Sequence, residues 1–338
     1  MTSEVKFQSK ESWHLGSLSV QARSFVAGRV LSELADSDER IVVLNADLGH
    51  ANRTIEFADR HPERYFNMGI AEHNMVSAAA GLAATGFIPY LGTFASFLGI
   101  LCCEQIRTDL AYTNLPVRLL SHHTGISLGY YGTTHHATED IGIMRSMANV
   151  KIICPADSYS LEQAIRQTVD LEGPIYFRIG GGDDPDVYKP GDEWRFDEIE
   201  ILREGRDALI LANGMMVNTA LDAAKTLASE GIYLTVADFH TVVPLDKKKL
   251  ESLLQKHHTV FVAEEHNTRS GVATAVADFM VDSGITGVKM IRIGFPPDEY
   301  AIIGAPYYLY KHYGFVGPEF ASRIRAGLRK QGSMVEKK

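Results

Sequence analysis

Three stretches of this sequence carry residue types and spacings that could do chemistry. In Asn67-Met68-Gly69-Ile70-Ala71-Glu72-His73-Asn74-Met75, a glycine turn delivers a carboxylate to a helix start. The small residues Ser77-Ala78-Ala79-Ala80-Gly81 that follow let such a helix pack closely. Two readings of Glu72 are open: an ordinary first-turn acid favoured by the helix dipole, or a buried carboxyl that gives a proton to a ligand nitrogen. The second stretch, Gly92-Thr93-Phe94-Ala95-Ser96-Phe97, spaces two aromatics three apart. On a helical start both rings would face one side, to fill a core or to hold a flat heterocycle. The third runs from Ser121-His122-His123-Thr124-Gly125 to Gly132-Thr133-Thr134-His135-His136-Ala137-Thr138-Glu139-Asp140, a loop with four histidines, glycines and tyrosines. Buried cores do not usually have that composition. Adjacent histidines point to different sides, and no Cys or carboxylate follows at ligand spacing, so the pattern disfavours zinc. Polar substrate binding beyond the carboxyl end of a strand fits it better.

These residues need elements to position them. From Ser19 to about Gly180, short β-branched runs alternate with helical stretches, the pattern of a parallel sheet covered by helices on both faces. The candidate strands are Ile41–Leu44, Val117–Leu120, Ile152–Cys154 and Ile175–Ile179; the candidate helices are Glu72–Ala84, Cys102–Tyr112 and Ser158–Asp170. Residues 180–194 (GGGDDPDVYKPGDEW) are poor core material and read as an interdomain connection. A second series follows, with strands at Ala208–Ala212, Tyr233–Ala237 and Val260–Ala263 and helices at Val217–Ser229, Asp246–Lys256 and Gly271–Asp282. The expected fold class is α/β: two consecutive three-layer α/β/α domains. The expected division is an extension at 1–18, a first domain at 19–182, a linker at 183–198, a second domain at 199–332 and a tail at 333–338.

Length and composition agree. A chain of 338 residues, 45 % hydrophobic and 22 % charged, has room for two folded domains. Thirty-three basic against 42 acidic residues leave a net charge of −9, which offers no general attraction to nucleic acid or to an anionic membrane. No apolar window is long enough to span a bilayer, and the first ten residues are polar, so the reading is a cytoplasmic chain. Its three cysteines, Cys102, Cys103 and Cys154, lack metal spacing and suit a reducing compartment.

Taken in order, these segments resemble the pyrimidine-binding half of the transketolase family of thiamin diphosphate enzymes. The resemblance covers Ala46-Asp47-Leu48-Gly49, the turn at Glu72, the Phe94 and Phe97 segment and the loop at His135. It extends through Asp140 to Arg145, Pro155-Ala156-Asp157 and Ala263-Glu264-Glu265-His266 in a C-terminal-like domain. It implies a thiamin diphosphate-binding, pyrimidine-type fold followed by a transketolase C-terminal-like domain. Glu72 would serve the aminopyrimidine nitrogen as the catalytic carboxylate, Phe97 with Phe94 would stack on that ring, and Asp47 would sit near the cofactor at a subunit junction. Arg23, His123 and His135 fall where the family grips its sugar. The family's Gly-Asp-Gly motif, which binds magnesium and the diphosphate, is not in this sequence. The resemblance therefore implies a split enzyme: a separate subunit supplies the diphosphate domain and the Mg²⁺ ligands, and an α2β2 heterotetramer builds sites at its interfaces. No metal ligands are expected on this chain, and an apolar face should be exposed when it is alone.

The sequence departs from transketolase at the substrate end. Gly129-Tyr130-Tyr131-Gly132 stands where the family has Gly-Glu-Asp-Gly, so Tyr131 replaces an aspartate that contacts the donor sugar. Ala51 replaces a serine, and Gly180-Gly181-Gly182 falls where a phosphate-binding arginine is expected, while strand alternation should turn Arg178 elsewhere. These losses argue against ordinary pentose phosphates and for a branched, sulfonated or unphosphorylated ketose. The β subunit of a 2-oxo acid dehydrogenase has a comparable layout, but Thr134-His135 and Arg23 argue against it. Deoxyxylulose-phosphate synthase joins all three domains in one chain. A noncatalytic partner of a transketolase would have no chemical need for Glu72, Phe94, Phe97 and His135.

Overall fold

The computed structural model describes residues 26–182 and 184–335. Strand β1 (Ile41–Asn45) is buried at every position, as a strand covered on both faces requires. It pairs in parallel with β2 (Tyr65–Asn67) on one side and β3 (Ile88–Phe94) on the other. Strands β4 (Arg118–His122), β6 (Ile175–Arg178) and β5 (Lys151–Ile153) extend the sheet, again in parallel. Among the helices, α1 (Ala27–Ala35), α2 (Ile55–Arg60), α3 (Glu72–Ala84), α4 (Asp140–Arg145) and α5 (Ser158–Gln167) connect or cover these strands. Helix α5 starts on a reciprocal capping box, Ser160 N donating to Asp157 Oδ1 at 2.8 Å and Asp157 N to Ser160 Oγ at 3.0 Å.

The second sheet has the order β12-β11-β8-β9-β7. It comprises β7 (Glu200–Arg203), β8 (Ala208–Ala212), β9 (Leu234–Asp238), β11 (Thr259–Asn267) and β12 (Lys289–Phe295), with only β7 antiparallel to its neighbour. Helices α6 (Met216–Ala228), α7 (Lys247–Lys256), α8 (Val272–Asp282), α9 (Pro306–His312) and α10 (Gly317–Val335) complete this half. Among the described residues no helix is long and apolar enough to cross a membrane.

The halves are not separate. Strand β10 (Thr241–Val243) follows β9 in the chain yet pairs antiparallel with β5, so the first sheet has seven strands, the last supplied from the second half. Three residues are too short to leave a periodic signal, and sequence reading passes over them. The connection read at 180–194 is anchored at two buried aromatics. Tyr188 and Trp194 are buried; the Tyr188 hydroxyl donates to Asp238 at 2.7 Å, and the Trp194 ring lies 4.4 Å from that of His240. The Val187 and Tyr188 amides donate to Asp157 Oδ2, both at 2.7 Å, so this stretch is tied to both halves.

Two further expectations are corrected. Strand β3 runs through Gly92 to Phe94, where the spacing of the two phenylalanines suggests a helical start, although Pro89 and Gly92 are poor central-strand residues. Pairing with β1 and β4 on both sides overrides that propensity. The expected helix at Cys102–Tyr112 is irregular: Phe97–Leu101 and Ile106–Ala111 are π-helical turns around a short α-turn at Cys103–Gln105. Such turns are rare and often mark functional sites. Gly99 makes the first possible, since a Cβ there would press on the Tyr176 hydroxyl and the Asp140 side chain.

Candidate active site

The carboxyl ends of β2, β1, β3 and β4 lie side by side, fixed by the register Asn45 to Asn67, Asn45 to Gly92 and Phe94 to His122. Asp47 follows β1, Glu72 opens the helix after β2, Phe94 ends β3 and His123 follows β4. This is the edge where parallel α/β sheets place ligands.

Asp47 is exposed and held in a left-handed conformation, φ +59°. Asn67, which sequence reading did not single out, fixes it. Its side chain donates to Asp47 Oδ1 at 3.0 Å and accepts from the Asp47 amide at 3.2 Å and the Gly69 amide at 3.0 Å. One amide side chain thus ties Asp47 to the turn that delivers Glu72. Beneath them Asn45, Asn52 and Thr54 form a buried network, Asn45 Nδ2 donating to Thr54 Oγ1 at 2.9 Å and Thr54 Oγ1 to Asn52 Oδ1 at 2.8 Å.

Glu72 is the first residue of α3 and only 7 % exposed, so it is at once a first-turn acid and a buried carboxyl. Its carboxylate has no hydrogen bond or ion pair among the described residues. The helix packs on the Phe97–Leu101 turn, with the next residue's ring, His73 Nε2, 3.1 Å from the Leu101 carbonyl. Asn52 Nδ2, Thr93 Oγ1 and Ser96 Oγ are likewise buried and unpartnered. Polar atoms in that state at one sheet edge are suited to a ligand or to water.

Five expected residues meet in one group of rings. Phe94 lies 5.6 Å from Phe97, 5.2 Å from His123 and 5.9 Å from His135; His135 lies 5.3 Å from Phe97 and is stacked on Tyr131 at 4.8 Å. The two phenylalanines come from a strand end and a π-turn rather than one helix, and are tilted by 47°. The histidine loop also differs from expectation, because His122, His123 and His136 are buried. Tyr130, Tyr131, Thr133 and Thr134 at the tip are exposed, and His135 is partly so. Burial pulls His123 down to about 4 and lowers His135 and His136, so these imidazoles are neutral at pH 7. Arg23 lies outside the described residues. Among those described, no group of three or more His, Cys, Asp or Glu could hold a metal ion.

Behind the loop is a polar cluster that sequence reading missed in part. Arg178, at the end of β6, is buried and donates to Asp140 Oδ2 at 2.9 Å, the Ala137 carbonyl at 3.0 Å and the Glu265 carbonyl at 2.9 Å. Tyr176 also donates to Asp140, at 2.9 Å. Burial pushes Glu264 and Glu265 up to about 7 and His266 down to about 4, so the 3.7 Å approach of His266 to Asp140 is not an ion pair at neutral pH.

These directions set a pH profile. Between 4.5 and about 7 the folded chain holds protons on Glu264 and Glu265 that the unfolded chain has lost, so stability falls as pH rises and the loss is complete by about pH 8. His123, His240 and His266 act oppositely: their stabilisation is present above 6.5 and is lost as pH falls toward 4 and 3. The two sets offset each other from 4.5 to 6.5. The melting temperature is therefore expected to decline from pH 6.5 to 8, and Glu265→Gln to reduce that slope. A flat profile in both proteins would refute the assignment.

Residues 21–181 match the family model described as transketolase, pyrimidine binding domain, and residues 197–317 match transketolase, C-terminal domain. A Methanocaldococcus jannaschii protein provisionally named transketolase C-terminal section is 36 % identical over 306 residues, covering 90 % of this chain and 95 % of its own. A 6-deoxy-6-sulfo-D-fructose transketolase subunit from Clostridium sp. strain MSTE9 is 34 % identical over 290 residues, 86 % of this chain and 89 % of that one. A solved structure described as a split gene transketolase, inactive beta4 tetramer, has a TM-score of 0.78 at 33 % identity, covering 92 % of this chain and 97 % of that one. The match to a 1-deoxy-D-xylulose-5-phosphate synthase of Geobacter sulfurreducens, 35 % identical, spans 89 % of this chain but 48 % of the synthase, so the chain has about half that enzyme's length.

Proposed function

The chain belongs to the transketolase family, and from that premise we propose that it is the pyrimidine-domain subunit of a heteromeric, thiamin diphosphate-dependent transketolase. The enzyme moves a two-carbon ketol unit from a ketose to an aldose. The observation that carries this reading is the buried Glu72 carboxyl, without a hydrogen bond or ion pair among the described residues, at the head of a helix that packs on the Phe97–Leu101 turn, at the same sheet edge as the ring group of Phe94, Phe97, His123 and His135. A flat, nitrogen-containing heterocycle suits that combination: rings for its faces and a carboxylate for one ring nitrogen.

When bound, thiamin diphosphate supplies a nucleophilic carbon for addition to a carbonyl. Glu72 holds a proton on the pyrimidine ring nitrogen, in a position too buried for water to compete freely. Phe97 and Phe94 fix the plane of that ring, and Asp47, locked by Asn67, borders the cofactor at the subunit junction. His123 and His135 are neutral, so each can donate one hydrogen bond and accept another at the hydroxyls and carbonyl of the sugar. Arg23 contributes to the same grip.

A partner subunit brings the diphosphate domain with its Mg²⁺ ligands, and the complex is an α2β2 tetramer. Support comes from the apolar side chains around Glu72: Ile70 and Leu101 are 84 % and 49 % exposed, beside the carboxylate the reaction needs. The related chain described as an inactive β4 tetramer fits a subunit that needs its partner for activity. The reading retains the domain division at 19–182, 183–198 and 199–332, and places the enzyme in the cytoplasm, where the three free thiols Cys102, Cys103 and Cys154 are at home. For the substrate, Tyr131 covers His135 where the family's aspartate would stand, and Arg178 is committed to Asp140 rather than to a phosphate. A ketose without an ordinary terminal phosphate, such as a sulfonated or branched one, fits these contacts.

The test is calorimetric titration of thiamin diphosphate with Mg²⁺ into the chain alone and into its mixture with a diphosphate-domain subunit. Saturable binding in the mixture alone, followed by ketol transfer in a ketose screen, is the expected result. A mixture that assembles but binds no cofactor would overturn the proposal.

A further inference from the structure

We propose that Glu265, in the second half of the chain, is a positioning residue for the ketose site: its carboxylate sets where the loop bearing His123 and His135 sits. The inference rests on the functional reading above, but its geometry stands on its own. The loop is pinched at its base by paired backbone hydrogen bonds, Gly125 N to Ala137 O at 3.0 Å and Ala137 N to Gly125 O at 2.9 Å. Beyond the pinch, the Ile126 amide belongs to neither helix nor strand, and Glu265 Oε1 accepts its hydrogen at 2.9 Å. Gly125, at φ +60°, is what lets the carboxylate come so close, because a Cβ there would occupy the position of the carboxyl group.

The other end of the loop is held from the same strand. Asn267 donates from its backbone and from Nδ2 to the Thr138 carbonyl, both at 2.9 Å. Arg178 bridges the two sides, donating to the Ala137 and Glu265 carbonyls, and the Tyr310 hydroxyl of α9 donates to the Glu265 carboxylate. Between Glu265 and Asn267, the end of β11 therefore grips both strands of the loop base. Next to α9, Gly304 N donates to the Gly129 carbonyl at 3.1 Å, so the second half also braces the turn before Tyr131. A domain that holds none of the expected catalytic residues fixes the geometry of those that bind the sugar.

Glu265→Ala and Glu265→Gln separate the carboxylate from its acceptor role, since the amide keeps one oxygen for Ile126. In the full chain without partner or substrate, Glu265→Ala is expected to speed hydrogen exchange across residues 123–138, and Glu265→Gln to restore protection. In the reconstituted complex, Glu265→Ala should raise the ketose KM about tenfold, the scale of one lost buried hydrogen bond. Turnover number and thiamin diphosphate affinity should stay within about twofold, with Gln again restoring KM. If Glu265→Ala does not fold, Asn267→Ala reads the same loop from its other end and should raise KM and exchange together. Unchanged exchange, an equal fall in kcat with no change in KM, or failure of Gln to restore either property would overturn the proposal. A wild-type complex without ketol transfer would instead refute the functional reading, and the exchange comparison alone would then decide whether Glu265 holds the loop.

Discussion

Glu72→Gln, reconstituted with the diphosphate-domain subunit, is expected to lower turnover by about 10²–10⁴-fold, the range a positioned acid or base contributes. The substitution keeps the side chain's size and one oxygen, so α3 should form as before, and only the capacity to hold a proton for a ring nitrogen is lost. Because the wild-type carboxylate has no partner among the described residues, its replacement by an amide breaks no contact within this chain. Stability should therefore hold, since no hydrogen bond or ion pair is lost. Steady-state kinetics and a melting curve on the same preparation separate the two effects. Activity within about threefold of wild type would remove Glu72 from the chemistry.

Arg178→Met should be the most damaging single change to the fold, at about 3–5 kcal/mol, because it leaves Asp140 charged and uncompensated in the interior. It also strips hydrogen bonds from the Ala137 and Glu265 carbonyls. Tyr176 remains as a donor to Asp140, and His266, 3.7 Å away, can take up a proton once the competing guanidinium is gone. The loss should accordingly be smaller at pH 5.5 than at pH 8. Urea midpoints at the two pH values measure it. Pairing the change with Asp140→Leu should recover part of the stability, since an apolar pair can replace a buried ion pair. A cost below about 1 kcal/mol at pH 8 would mean that water or a rearranged side chain replaces the arginine.

Sequence reading located α3 to the residue, and β1, β4, β5, β6, β8, β9, α5, α6, α7 and α8 to within a few positions, because each carries a dense local signal; it named no element at α1, α2, β2, β7, β12, α9 or α10. The Glu72 helix is rich in alanine behind a glycine turn, and β8 is an unbroken apolar run. Where sequence reading passed over β10 and misread β3 and the turns after Phe94, the local signal was short or contradictory. Strand β10 has three residues, β3 contains a proline and a glycine, and the turns after Phe94 open into π-helix. In each case pairing or packing with distant segments decided the conformation.

The candidate site divides in the same way. The sequence by itself offered candidates for chemistry: Glu72, Phe94, Phe97, His123 and His135 stand out by type and local order, and Asp47 and Tyr131 through the family resemblance, because reactivity belongs to side chains. Tertiary structure alone decided what surrounds them. It buried the histidines and so made them neutral, left Glu72 without a partner, and committed Arg178 to Asp140. It also brought Glu265 to Ile126, 139 positions away in the chain. Desolvation and hydrogen-bond partnership depend on segments far apart in sequence, and no local pattern encodes which of those segments will meet.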